Sequence, residues 1–216
     1  MTDHAMRDSL LETARRMNDI GLNQGTSGNV SVRTETGYLI TPTGMPYDDC
    51  QPADMVPMTL EGGTTGPRKP SSEWRFHQDL YRDRSDIGAI VHVHSTFATT
   101  LACLGVEVPA FHYMVAVAGG DNIRCAPYET FGTAALSDGV VTAMQDRQAC
   151  LMANHGMLAA GPTLEKALAM AVEVEKLCEI YWRVLQAGGG PLLNNAEMTV
   201  ILEKFKGYGQ FAEPAS

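Results

Sequence analysis

Residues 88–96 read GAIVHVHST, two histidines one residue apart in a run otherwise built of alanine, isoleucine and valine. Side chains of a strand alternate between its faces, so His92 and His94 project from one side while Val91 and Val93 project from the other. A buried strand tolerates two imidazoles on one face only if their polar atoms are satisfied. They serve either as core groups bonded to the backbone or as a pair of metal ligands at fixed separation, since neutral imidazole binds zinc well. A third ligand candidate is His155, which follows another apolar stretch and precedes Gly156, a residue that leaves room for close backbone approach. In PSSEWRFH, Glu73 opens a helix and offers a carboxylate, so three histidines and one glutamate complete a tetrahedral set. His77, four residues on along the same helix face, is a competing ligand or an inward-packing partner. His112, beside Tyr113, either orients that phenol or is a turn residue.

A second constellation favours anions. Gly25, Thr26, Ser27, Gly28 and Asn29 form a turn of small residues before a strand, where successive N–H groups can make a nest. Thr43 and Gly44 in ITPTGMPY repeat the pattern, and Ser71 and Ser72 sit at a helix start, which favours phosphate. A zinc site beside a phosphate site suits carbon–carbon chemistry next to a carbonyl, with the metal stabilising an enediolate and Glu73 moving a proton on carbon. A Schiff-base mechanism needs a desolvated lysine. The five lysines, Lys69, Lys166, Lys176, Lys204 and Lys206, all lie outside apolar strands.

The hydrophobic periodicity predicts helices over 5–20, 71–83 (capped by serine), 96–104, 133–146, 164–186 and 196–206. Strands are expected over 30–33, 38–41, 54–60, 89–94 and 148–154, and near 113–118 and 122–127. Strands and helices mix without a strict βαβ rhythm, which points to an α/β fold with a largely antiparallel sheet and helices on its faces. A chain of 216 residues, 44% hydrophobic and with no linker-like stretch, is expected to form one domain, 1–216. The net charge of −9 without a basic run argues against nucleic-acid or anionic-membrane partners. With no long apolar window, no leader-like start and an odd cysteine count without a CxxC pair, a cytoplasmic protein with reduced thiols is expected.

The segments GLNQGTSGNVSVR, LITPTGMPY, PSSEWRFH, VHVH, FHYM, AGG, APYETFGT and NHGML, in this order, resemble the class II aldolase and ribulose-phosphate 4-epimerase superfamily, with the L-fuculose-phosphate aldolase branch nearest. The resemblance runs from about residue 10 to residue 208. It implies an α/β/α sandwich with a mostly antiparallel central sheet, assembled as a homotetramer with active sites at subunit interfaces. It implies Zn2+, with Mn2+ or Co2+ as substitutes, on Glu73, His92, His94 and His155. Gly28, Asn29, Thr43, Gly44, Ser71 and Ser72 would bind the dihydroxyacetone phosphate portion of a ketose 1-phosphate. Glu73 would exchange a proton with carbon, and Tyr113 of a neighbouring subunit one with the aldehyde oxygen. Thr26 and Phe131 match the aldehyde end, and Phe205 and Tyr208 a mobile aromatic tail, from about residue 205, that covers it. Related members dehydrate methylthioribulose 1-phosphate or epimerise pentulose phosphates, and an adducin-like branch is a non-catalytic scaffold. Phe97 and Asn154 depart from the pattern of fuculose-phosphate aldolase.

Overall fold

The structure, a computed structural model, describes residues 3–206. Seven strands form one sheet: β1 (Asn29–Thr34), β2 (Gly37–Ile40), β3 (Val56–Thr59), β4 (Ala89–Val93), β5 (Cys125–Ala126), β6 (Ala149–Met152) and β7 (Gly156–Gly161). Their order is β3-β2-β1-β4-β7-β6-β5, and every pairing is antiparallel except β5 with β6. The helices are α1 (Asp3–Asp19), α2 (Trp74–Asp83), α3 (Thr96–Leu104), α4 (Ala134–Ala143), α5 (Leu164–Gln186) and α6 (Asn195–Lys206). The expected sandwich with a mostly antiparallel sheet is thus what the chain forms. Among the described residues, no helix is long and apolar enough to cross a membrane.

Alternation along the central strands sorts the two cores. On β4, Ala89, Val91 and Val93 join a cluster with Leu10, Ala14, Leu101, Ala171 and Val174 from α1, α3 and α5. Ile90 joins Phe76, Leu80, Leu136 and Val140 from α2 and α4 on the other side. Helices on both faces explain why β4 is buried at every position. Truncating such a residue, as in Leu101→Ala, costs about 2–5 kcal/mol through lost transfer energy and a residual cavity.

Three local expectations are corrected. Residues 113–118 are not a strand but a 3-10 helix, Tyr113–Ala118. His112 Nδ1 accepts from the Met114 N–H at its start, and buried Val115 and Ala118 follow the three-residue period of that helix. Strand β7 was not anticipated, because its sequence GMLAAG is poor in β-formers and is held in place by pairing with β4 and β6 on either side. Helix α2 is not capped by a serine side chain. Glu73 occupies the N-cap position without a side-chain cap bond, and Ser71 Oγ accepts from the Glu73 N–H.

Candidate metal and active site

The site forms at one end of the central strands, where β1 begins, β4 ends and the β6–β7 turn returns. His92 pairs across β4 with Asn29 on β1 and Leu158 on β7, which puts its imidazole on the face covered by α2. His94 follows at the strand end, His155 lies in the turn between β6 and β7, and Glu73 precedes α2. One ligand atom from each of the four lies within 4.8 Å of the others. The three imidazole rings stand 4.9 Å apart pairwise, at interplanar angles of 72°, 76° and 72°.

Proton accounting shows what this cluster wants. His92 Nδ1 faces the Met157 carbonyl at 2.8 Å, so Nδ1 carries the proton and Nε2 is left with a lone pair. That Nε2 lies 3.1 Å from His94 Nε2 and 3.1 Å from Glu73 Oε2. His155 Nε2 lies 3.0 Å from Glu73 Oε1, yet among the described residues this buried oxygen receives no hydrogen bond. Acceptor atoms crowded around one point need a cation. Ligand atoms about 2 Å from a tetrahedral metal lie about 3.3 Å apart, close to these separations. The residues therefore fit a divalent metal.

The charges agree. Burial opposes ionisation of Glu73, but the His92 and His155 imidazoles outweigh it and hold the carboxyl well below its usual range. Burial likewise opposes charge on His92, and the Glu73 carboxylate overrides it to raise that pKa. His94 is pushed down to about 4 by burial and by its two neighbouring imidazoles. A metal held by these residues would take the place of the proton otherwise shared by His92 and Glu73.

Close packing fixes the ligands. A Cβ on Gly156 would sit 2.6 Å from the Val93 carbonyl oxygen and 2.8 Å from His94 Cδ2, so only glycine lets the His155 turn lie against His94. Asn154, at φ 55°, makes the left-handed bend of that turn, a conformation asparagine tolerates, and its N–H bonds to the Ala102 carbonyl. A Cβ on Gly28 would meet the His92 carbonyl at 2.6 Å, so Gly28 also serves to seat β1 against the His92 backbone.

Two of the small-residue turns reach this cluster, through Gly28 and Asn29 and through Ser71, and the third is bonded to the second. Thr41 pairs with Val30 by backbone bonds and through its hydroxyl, the Ser71 N–H bonds to the Thr41 carbonyl, and the Thr43 N–H bonds to the Lys69 carbonyl. Thr26, Thr43, Gly44 and Ser72 are exposed, and Ser71 is buried. Thr43 and Gly44 line a cleft of about 440 Å³ with Arg68 and Lys69. Asn29 differs: its side chain is buried and donates to Glu73 Oε2 at 3.0 Å. A larger groove, about 1080 Å³, lies at the opposite end of the strands, around Thr34, Gly88 and Pro162, and includes none of these residues.

The family described as Class II Aldolase and Adducin N-terminal domain matches residues 8–182. A 5-methylthioribulose-1-phosphate/5-deoxyribulose-1-phosphate aldolase from Rhodospirillum rubrum is 54% identical over 209 residues, covering 97% of this chain and 95% of the relative. The chain belongs to the class II aldolase family. An L-fuculose phosphate aldolase from Escherichia coli K12 is 45% identical over 210 residues, covering 97% of this chain and 98% of the relative. Among solved structures, an L-fuculose 1-phosphate aldolase matches with TM-score 0.90 at 40% identity, covering 94% of this chain and 96% of the other. The protein is therefore an enzyme, a lyase, and class II aldolases use a divalent metal. The adducin-like scaffold reading falls.

The remaining candidate residues of this class II aldolase lie outward. Tyr113 is 50% exposed and Phe131 64% exposed. The Phe131 loop abuts the Ser71–Ser72 turn, because a Cβ on the adjoining Gly132 would sit 2.9 Å from the Ser72 carbonyl. Phe205 lies within α6 and packs against the hydrophobic cluster on the α1, α3 and α5 side. Tyr208 lies outside the described residues. Phe97, one of the two departures from fuculose-phosphate aldolase, packs with its ring centroid 5.8 Å from that of Trp182, tilted by 51°.

Sequence reasoning missed Glu175. From α5 its carboxylate accepts from Ser95 Oγ at 2.6 Å and from the N–H groups of Phe97 and Ala98, capping α3 directly after His94. At 80 residues from Ser95, no local pattern reveals it. It also missed Ser31 and Tyr81, which hydrogen-bond one another and, through Ser31, His77.

Proposed function

We propose that this enzyme is a zinc-dependent aldolase. It reversibly cleaves a ketose 1-phosphate of the 5-deoxyribulose, 5-methylthioribulose or fuculose type into dihydroxyacetone phosphate and a short aldehyde. The observation that carries this reading is the convergence of His92, His94, His155 and Glu73, whose Oε1 lacks a donor, in one cluster; small-residue turns that adjoin it at Asn29 and Ser71 support the phosphate end of the reading. Zinc suits three imidazoles and one carboxylate, and when bound it supplies a Lewis acid that stabilises charge developing on the substrate's oxygens.

Gly28, Thr43, Gly44, Ser71 and Ser72 grip the phosphate end, with Asn29 contributing backbone there while its amide holds Glu73. In synthesis, ionised Glu73 takes a proton from the carbon of dihydroxyacetone phosphate, and Tyr113 of a neighbouring copy gives its phenol proton to the aldehyde oxygen as the carbon–carbon bond forms; cleavage reverses both transfers, starting from protonated Glu73 and ionised Tyr113. Thr26 and Phe131 line the aldehyde end. The exposed aromatics Tyr113, Tyr128 and Phe131 favour a homotetramer that covers them. Five unpaired cysteines suit a cytoplasmic enzyme.

The test is release of dihydroxyacetone phosphate from purified enzyme and each ketose 1-phosphate, read by coupled reduction. Stoichiometric release with the matching aldehyde is expected. Disappearance of a ketose phosphate without that product would assign the site to dehydration or epimerisation instead.

A further inference from the structure

A buried chain of polar side chains runs inward from Glu73. Asn29 Nδ2 donates to Glu73 Oε2 at 3.0 Å, Asn29 Oδ1 meets His77 Nε2, His77 Nδ1 meets Ser31 Oγ at 2.7 Å, and Ser31 Oγ meets the Tyr81 hydroxyl at 2.8 Å. Two periodicities build it. Glu73, His77 and Tyr81 recur every four residues along α2, and Asn29 and Ser31 alternate along β1 on the facing side of the sheet. Asn29, Ser31, His77 and Tyr81 are all 2% exposed or less, so water does not complete their bonding.

One charge sets the direction of the whole chain. Ionised Glu73 only accepts, so Asn29 must turn its NH2 group towards it, which leaves Oδ1 facing His77. His77 must then carry its proton on Nε2, which makes Nδ1 an acceptor for the Ser31 hydroxyl. Ser31, having spent its proton, accepts from Tyr81. The reverse polarity would set the Asn29 carbonyl against the carboxylate. Burial first, and the His92 imidazole second, push the His77 pKa down to about 3, so the ring is neutral, as this arrangement requires.

We propose that His77 is a positioning residue for Glu73: held as the Nε2–H tautomer by Ser31 and Tyr81, it locks the Asn29 amide onto Oε2 and keeps Oε1 turned towards His155. Without His77, Asn29 can flip and Glu73 loses its fixed orientation. The kinetic side of this inference rests on the aldolase reading; the tautomer does not.

Two measurements test it. In wild-type protein labelled with 15N-histidine, the resonances lost in His77→Gln should show a protonated Nε2 and an unprotonated Nδ1 at neutral pH. A protonated Nδ1, or an imidazolium, overturns the proposal whatever the enzyme catalyses, and contacts to the stacked Phe76 ring assign the resonances if His77→Gln does not fold. In kinetics, His77→Phe should lower kcat by about 10- to 100-fold, the scale of partners that orient a metal-site ligand. KM and bound metal should stay near wild type, and His77→Gln, which keeps a donor for Asn29, should recover most of the rate. If His77 acts through Asn29, His77→Phe added to Asn29→Ala should cost nothing further. Multiplying losses would overturn the proposal, whereas an inactive wild type would sink the aldolase reading alone.

Discussion

The two halves of the site are built by opposite means. Glu73 and His92 are 5% exposed or less, backbone approach around them is so tight that Gly28 and Gly156 admit no Cβ, and partner atoms are held by β1, β4, β7 and α2. Around Tyr113 and Phe131, aromatic rings are half-exposed or more, on a 3-10 helix and on a loop. On the proposed reading, metal chemistry sits in the rigid half, and aldehyde recognition, with the Tyr113 proton transfer, in the adaptable one. The buried half should be intolerant of change, and the outer half should determine which aldehyde is used.

The sharpest way to break this division is to remove a ligand. His94→Ala should lose metal and lower kcat/KM by about 1,000-fold or more, because several kcal/mol of charge stabilisation goes with it; metal analysis and steady-state rates check both. Glu73→Gln keeps the shape of the turn but not the proton transfer, and a rate loss of about 100-fold or more is expected. Near-normal cleavage by that variant would mean that another group moves the proton.

The outer half predicts smaller effects. A mainly apolar lining separates one methyl or methylthio group by only about 1–3 kcal/mol. The kcat/KM values for 5-deoxyribulose, 5-methylthioribulose and fuculose 1-phosphates should thus fall within a few hundredfold of one another, on the scale such pockets allow. A preference above about 10⁴-fold would reveal a polar contact to the aldehyde.

Legibility followed the same line. The ligands were readable because a strand's two-residue period aligns His92 with His94, and because Gly156 marks close approach beside His155. Glu73, His77 and Tyr81 at four-residue spacing carry a signal too, but hydroxyls at Tyr81 and Ser31 look like ordinary core polar groups until the facing strand is known. What stayed hidden depends on contacts distant in sequence. Glu175 reads as a solvated helix glutamate until α5 is laid on α3. Residues 113–118 alternate like a strand, and Met114 and Val117 become helical neighbours only against the core that α5 and α6 help to form. The alanine-rich β7 becomes a strand because β4 and β6 leave a place for one.

The smallest effect concerns stability. His77 is held near 3, below the ordinary 6.5, so the unfolded chain takes up its proton first and stability falls as pH drops from about 6.5 towards 3. Melting temperatures of metal-free wild type should fall more between about pH 7 and about pH 5 than those of His77→Gln. Equal falls would mean that His77 does not remain neutral in the folded protein.

The central claim is that the three imidazoles and Glu73 form a metal centre on which cleavage depends. Its most direct test is to strip the enzyme with a chelator, remove the chelator, and measure dihydroxyacetone phosphate release before and after titrating zinc back. Activity should vanish with the metal and return in proportion to zinc, saturating at one ion per chain. Undiminished turnover by metal-free protein would contradict the account.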